Sequence, residues 1–486
     1  MSEEIRNLEP KALWENFYKL TQVPRPSKHE DAIQAALLEF GKGLGLETFR
    51  DEVGNIIIKK PATPGMENRQ GVILQAHLDM VPQKNSGTDH NFETDPIDAY
   101  IDGDWVKARG TTLGSDNGMG AAAAMAVLQD TEMVHGPVEA LLTSDEETGM
   151  TGANGLKPDI LDGDILLNLD SEDEGELYIG CAGGVDTVGV FNYSTEAMIP
   201  NATTYKISIT GLKGGHSGLD INLGRGNANK IMNALLMDAS AMYGLRLASI
   251  DGGSLRNAIP RESFSVVVVP DANKSAFLEY AAGYEKESQA AFKDADPGLV
   301  ITIEETAAAD SLIDAKTTAG LYQAVEQCPN GVIAMDKNMP DVVETSTNLA
   351  VVKSKDGEIE MASLQRSAVD SDKEKLAKVM FDVFTEAGAV AENSGDYPGW
   401  KPNVDSPILQ AMKDVYDKNW GKVPAVKVIH AGLECGILGS AYPKWDMISF
   451  GPTIRNPHSP DEMVNVPTVG MFWNYLVETL KNIPVK

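Results

Sequence analysis

With 486 residues, 42% of them apolar and 23% charged, the chain has the composition of a soluble globular protein and is too long for one ordinary core, so two or more domains are expected. Its formal charge of −30 is spread along the whole length and would repel a polyanion, which argues against nucleic acid and anionic membrane as partners. Three widely spaced cysteines, Cys181, Cys328 and Cys435, make no disulfide framework and point to a reducing, cytoplasmic setting.

The first residues are charged and helix-periodic, without the basic start and apolar stretch of a signal peptide. No window reaches the roughly 18 uninterrupted apolar residues of a membrane span. Helices are expected near 9–21 and 28–42, then apolar strands at 54–60 and 71–76, a helix at 118–129 and strands at 138–144 and 164–170. Such alternation predicts an α/β sheet with helices on both faces. The texture changes after residue 186. Long strands at 203–212 and 262–269 accompany helices near 223–241 and 272–292. Two further strands are joined by Asp356-Gly357, a strong signal for a tight hairpin, and a helix follows at 371–387. From about residue 400 the first texture returns, with helices near 406–418 and 468–482 around the apolar stretch WDMISFG. The pattern predicts a catalytic domain formed by 1–186 and 397–486, with an α+β domain inserted at 187–396. Insertion is tolerated where chain ends lie close together at a surface.

The chemistry gathers where apolar runs stop. GVILQA opens onto His77 and Asp79, VEALLTS onto Asp145, Glu146 and Glu147, DILLNL onto Asp170, and MISFGPTIRNP onto His458. Strand ends of an open α/β sheet converge on one edge, where ligands bind. A single such residue reads as an ordinary surface charge; four strand ends of this kind do not. Residues two apart on an extended chain share a side, so Asp79 can accept the second ring N–H of a metal-bound His77. Glu146 and Glu147 diverge, so that one can bind metal while the other faces water. A buried carboxylate pair without a cation would repel itself. Glycines around Asp116 in GTTLGSDNG permit the tight turn that would aim its carboxylate between two ions.

HLDM (77–80), SDNGMG (115–120), SDEETGMTG (144–152), NLDSED (168–173) and NPHSPDE (456–462) together resemble the dizinc exopeptidase family of carnosinases, aminoacylases, peptidase T and Xaa-His dipeptidases. GLKGGHSG (211–218) resembles that family's lid motif, and HAGLECG (430–436) with GPTIRNPHSPDE (451–462) looks distinctive of its Xaa-His dipeptidase branch. The resemblance implies a zinc-exopeptidase-like catalytic domain, a mixed sheet between helices, with an inserted α+β lid that also serves as the dimerisation surface of a homodimer. It implies that Asp116 bridges two divalent ions, zinc or in its place manganese or cobalt, with His77 and Asp170 completing one site and Glu147 and His458 the other. Glu146 would activate a metal-bridging hydroxide and Asp79 would support His77, both counted as catalytic. His216, Asn257, Arg366 and His430 would hold a small dipeptide substrate, His216 by polarising its carbonyl. For Arg366 an exposed strand position is an equal reading. A cis Asp116–Asn117 bond is also implied. The charge count agrees: +4 from the ions, −3 from Asp116, Glu147 and Asp170, and −1 from hydroxide, which favours deprotonating water near neutral pH.

Other readings are weaker. GMGAAA (118–123) imitates a dinucleotide fingerprint, but no apolar strand precedes it. The sequence has no G-x-S-x-G elbow of a serine hydrolase. A non-catalytic binding protein would not need Glu146. An N-acyl amino acid deacylase or carboxypeptidase of the same fold is the rival enzyme. His29, His90 and His135 match no motif and read as surface residues.

Overall fold

The computed structural model describes residues 3–486, which fall into two compact units. The first comprises the chain up to Gly180 with Pro402–Val428 and Leu433–Lys486; the second comprises Cys181–Lys401 with Ile429–Gly432.

In the first unit, among the described residues, an eight-stranded sheet runs in the order Glu47–Arg50, Ile56–Lys60, Val138–Thr143, Val72–His77, Ile165–Asn168, Asp446–Ser449, Glu176–Cys181, Ala425–Ile429. The four strands from Val138–Thr143 to Asp446–Ser449 are mutually parallel. The first three of these are buried at every position, which is why they read as continuous apolar runs rather than alternating ones. Helix Ser115–Gln129, rich in alanine and glycine, is buried almost throughout. Its small residues allow close approach, since a Cβ on Gly120 would come within 2.7 Å of the Leu169 carbonyl oxygen. A separate four-stranded sheet, Ile454–Arg455, Met463–Asn465, Trp105–Ala108 and Ala99–Asp102, is antiparallel throughout.

The second unit is built on an antiparallel sheet ordered Val300–Glu305, Ala202–Thr210, Ser263–Pro270, Arg246–Gly252, Val343–Lys355, Glu358–Ser367, Gly183–Asn192, Val390–Tyr397, with Gly331–Met335 added beside Val343–Lys355. Helices Ala228–Tyr243, Lys274–Ala291, Ala315–Gln327 and Asp370–Glu386 supply Leu235, Phe277, Leu321 and Phe384 to the same core as Ile207, Val267 and Met361. The hairpin at Asp356-Gly357 pairs Lys355 with Glu358. Both turn residues have positive φ, 51° and 89°, as a two-residue turn matching the strand twist requires.

Three expectations are corrected. The boundary expected between 186 and 187 falls inside strand Gly183–Asn192, which pairs along its length with Glu358–Ser367 and so belongs to the second unit. That unit extends to Lys401 and also takes Ile429–Gly432, with His430, out of the expected C-terminal segment. Backbone pairing, which composition does not report, decides both. Finally, His135 is fully buried, not on the surface. Its main chain is zipped to Thr63 in both directions at 3.0 Å, and its Nδ1 lies 2.6 Å from the Gly136 carbonyl oxygen.

Candidate metal centre

The carboxyl ends of the parallel strands carry the site, as the geometry of open α/β sheets favours. His77 ends its strand, Glu146 and Glu147 open a single helical turn after Val138–Thr143, and Asp170 lies two residues beyond Ile165–Asn168. His458 has a different carrier. It sits with φ 59° in the loop between the short strands Ile454–Arg455 and Met463–Asn465, rather than at the end of a central strand.

Asp116 joins two sets of donors. Its Oδ1 is 3.1 Å from His77 Nε2 and its Oδ2 is 3.3 Å from His458 Nε2. On the first side, His77 Nε2 is also 3.4 Å from Asp170 Oδ1 and 4.0 Å from Glu146 Oε2. On the second, His458 Nε2 lies 2.9 Å from Glu147 Oε2. His77, Asp116 and Asp170 form one group close enough to share an ion, and Asp116, Glu147 and His458 form another. The peptide bond after Asp116 is cis, and the Asn117 amide donates to Asp170 and to the Leu169 carbonyl.

The electrostatics fit cations. Against the desolvation of burial, Asp170, Asp116 and Asp79 hold the His77 imidazole well above its usual range. Hydrogen bonds to Asp116 and Glu147 raise His458 to about 11. Both imidazoles are pulled toward the charged form because the acids around them need positive charge. Burial raises Glu146 well above the ordinary carboxylate range, with Asp170, Glu434 and Glu147 adding to it; burial and the neighbouring Asp116 also raise Glu147. Among the described residues Glu147 Oε1 is buried without a hydrogen-bond partner, an orphaned acceptor that a cation would satisfy. Imidazole and carboxylate donors in two sets of three are the ligand chemistry of zinc and its neighbours.

The support around these residues is dense. Asp79, fully buried, accepts from Ser27 Oγ at 2.8 Å and from the backbone N–H groups of Glu146 and Glu147 at 3.0 and 3.2 Å, and its Oδ1 is 3.3 Å from His77 Nδ1. Despite burial, the His77 contact and these bonds hold its carboxyl down at about 2. One side chain thus fixes both the histidine ring and the start of the Glu146-Glu147 turn.

Sequence reasoning passed over three residues. Glu462, 2% exposed, accepts from the N–H groups of Leu113, Gly114, Ser115 and Asp116 and from Ser115 Oγ, over 2.6–3.2 Å. Arg25, also buried, donates to the carbonyls of Leu78, Asp79 and Gly114. Glu434 lies beneath the site, where it accepts from Gln75 at 2.6 Å and Thr143 at 3.0 Å; burial first, with Asp170, pushes it up to about 7. The motif NPHSPDE contains Glu462, but only its partners distinguish it from a surface acid.

Comparison with known proteins places this arrangement. The pattern of peptidase family M20/M25/M40 matches residues 73–482. The cytosol non-specific dipeptidase of Escherichia coli K12 is 45% identical over 483 residues, 99% of this chain and 100% of the relative. The chain belongs to peptidase family M20/M25/M40. The crystal structure of aminoacylhistidine dipeptidase from Vibrio alginolyticus matches with a TM-score of 0.96 and 47% identity, covering 100% of this chain and 99% of that one. Aminopeptidase PepT from Bacillus cereus shares the fold, with a TM-score of 0.60 and 17% identity over 98% of this chain and 99% of the other. Among the described residues of this M20 peptidase, no helix is long and apolar enough to cross a membrane.

The remaining expected site residues of this M20 peptidase all lie in its second unit. His216 Nδ1 accepts the backbone N–H groups of Gly218 and Leu219 at 3.1 and 3.0 Å. Burial, with Arg366, lowers its pKa. A neutral ring whose Nδ1 accepts must carry its proton on Nε2, so His216 presents a donor. Arg366 is buried, not an exposed strand residue, and donates to the Tyr397 hydroxyl at 2.9 Å, while its Nε has no hydrogen-bond partner among the described residues. His430 is buried too, its Nε2 is 2.7 Å from Ser346 Oγ, and burial, with Arg366 and His216, pushes it down to about 3. Its carbonyl oxygen lies 1.9 Å from where a Cβ on Gly218 would sit, so only glycine fits there. Asn257 has an exposed side chain, and its carbonyl accepts the Ser217 N–H at 2.9 Å.

Proposed function

We propose that this M20 peptidase is a metal-dependent dipeptidase that hydrolyses Xaa-His dipeptides, β-alanyl-histidine among them, and other unblocked dipeptides. The observation that carries the chemistry is Asp116, whose two oxygens face two separate His–carboxylate sets. The substrate class is supported by the full-length 45% identity to a cytosol non-specific dipeptidase. His77, Asp116 and Asp170 would hold one divalent ion, and Asp116, Glu147 and His458 the other, both zinc by preference, with manganese or cobalt able to replace it. When bound, such a pair supplies Lewis-acid polarisation of the scissile carbonyl and lowers the pKa of water.

Glu146 takes the proton from the attacking water and returns it to the leaving amine. It suits the task because burial and neighbouring carboxylates raise it well above the ordinary carboxylate range, which favours proton uptake. Asp79 keeps that base in place through the Glu146 N–H. His216, proton on Nε2, donates to the substrate carbonyl oxygen as negative charge develops there. Arg366, Asn257 and His430 orient the remainder of the dipeptide.

A turnover panel tests the reading: β-alanyl-histidine, several α-dipeptides and N-acetyl amino acids, each with zinc, manganese and cobalt. Dipeptides should be cleaved and acetylated amino acids spared. Turnover confined to the acetylated compounds would replace this reading with a deacylase. We also infer a cytoplasmic homodimer assembled through the second unit; a monomer by light scattering at micromolar concentration would refute the assembly.

A further inference from the structure

Four residues of the second unit lie on one line across its sheet. Arg366 pairs with Ser346 on one side and with Gly184 on the other, and Gly184 pairs in turn with Tyr397. Residues directly opposite on neighbouring strands share a face, so the glycine leaves a gap between the arginine and the tyrosine. Tyr397 fills it. Its hydroxyl accepts from Arg366 Nη1 at 2.9 Å, and a Cβ on Gly184 would lie 2.5 Å from that hydroxyl. A second glycine borders the ring, since a Cβ on Gly432 would lie 3.1 Å from it. The alignment depends on a bulge, a device that re-aims a side chain. Ser394 faces Asp186, and regular pairing would then bring Asp396 opposite Gly184. One extra residue around Gly395, whose φ is 61°, brings Tyr397 there instead. The buried Lys373 pins the tyrosine backbone by donating to its carbonyl at 2.6 Å, and pairs with Asp370 and Asp396 at 3.2 and 2.5 Å.

This anchoring acts on a guanidinium without a counter-ion. Among the described residues Arg366 is buried, makes no ion pair, and keeps its Nε without a hydrogen-bond partner. Asp186, the acid whose charge acts on it, is engaged with Arg256 at 2.7 Å. A buried cation left unpaired is costly, so the site is built to receive an anion. An unblocked dipeptide with neutral side chains offers one, its terminal carboxylate. A guanidinium recognises a carboxylate through the fixed fork of its donors, and the fork selects only if its plane is held. We infer that Tyr397 is a positioning residue: by occupying Nη1 it keeps the Arg366 guanidinium turned so that the Nε edge receives the substrate carboxylate. The inference rests on the dipeptidase reading and adds to it the residue that orients Arg366.

The test compares an alanyl dipeptide of neutral side chains with its terminal amide, which lacks the negative charge, on metal-loaded protein. KM and kcat are measured for the dipeptide, and the inhibition constant for the amide. Tyr397→Phe removes the acceptor and is expected to raise the dipeptide KM about 10-fold, the lower range for a hydrogen bond to a charged group. The dipeptide kcat and the amide's inhibition constant should stay within about twofold. Gly184→Ala displaces the hydroxyl without removing it and should reproduce the rise, which keeps the test decisive if Tyr397→Phe folds poorly. In an Arg366→Met background Tyr397→Phe should leave kcat/KM unchanged, because its action runs through the guanidinium. Melting temperature and metal content accompany each variant. Equal loss for dipeptide and amide, a fall in kcat at constant KM, or no change at all overturns the proposal. So does a further loss in the Arg366→Met background, which would make the hydroxyl act on substrate by itself. Wild-type protein that cleaves no dipeptide would instead overturn the function proposed above.

Discussion

Replacing Glu462 isolates the support of the Asp116 loop from the ligands themselves. Its Oε2 accepts the N–H groups of Leu113 and Gly114 at 2.7 and 2.9 Å, and its Oε1 accepts Ser115 N, Ser115 Oγ and Asp116 N at 2.7, 2.6 and 3.2 Å. In Glu462→Gln one oxygen becomes an NH2 group, and whichever it is, two backbone donors then face a donor. Each buried donor without an acceptor costs about 1–3 kcal/mol. The buried Arg25, on whose charge Glu462 is the first favourable influence, also loses that nearby negative charge. Two such donors set a net destabilisation of about 2–6 kcal/mol. The displaced loop carries Asp116, so metal affinity should fall about 10- to 100-fold, as it does when a residue orienting a ligand is lost. Urea denaturation of the metal-loaded protein and competition with a chromogenic chelator measure the two effects. A variant with the wild-type denaturation midpoint and wild-type metal affinity would refute the assignment of Glu462 as the clasp of this loop.

Glu146→Gln should lower kcat by about 100-fold or more with metal content unchanged by mass spectrometry; near-normal turnover would show that another group takes the proton. Asp79→Asn should weaken both metal binding and turnover by about 10- to 100-fold, since one of its oxygens can no longer accept from Glu146 or from Ser27 and Glu147. Chelation should lower the melting temperature, because Asp116, Glu147 and Asp170 then face one another without cations, and readdition of zinc should restore it. Ions present at about a thousandfold over their dissociation constant stabilise a fold by about 4 kcal/mol. Superimposable melting curves with and without chelator would exclude a structural contribution from bound metal.

The sequence by itself determined what depends on neighbours along the chain. Buried parallel strands are apolar throughout, so Val72–His77, Val138–Thr143 and Ile165–Asn168 announce themselves, and so do the acids and histidine at their ends. The Asp356-Gly357 hairpin is equally local, because the turn residues alone select it. What only the tertiary structure decided depends on groups hundreds of residues apart. Glu462 meets the Asp116 loop across about 350 positions of sequence, and in a chain of 71 acidic residues nothing local marks it as buried. Arg25 and Glu434 were hidden for the same reason. Strand Gly183–Asn192 joined the second unit because its backbone pairs with Glu358–Ser367, a fact that hydrogen bonding settles and composition does not. Spacing also could not supply the two-sided environment of Asp116, with His77 on one oxygen and His458 on the other. That arrangement requires the central sheet and the small antiparallel sheet to deliver their loops to the same carboxylate.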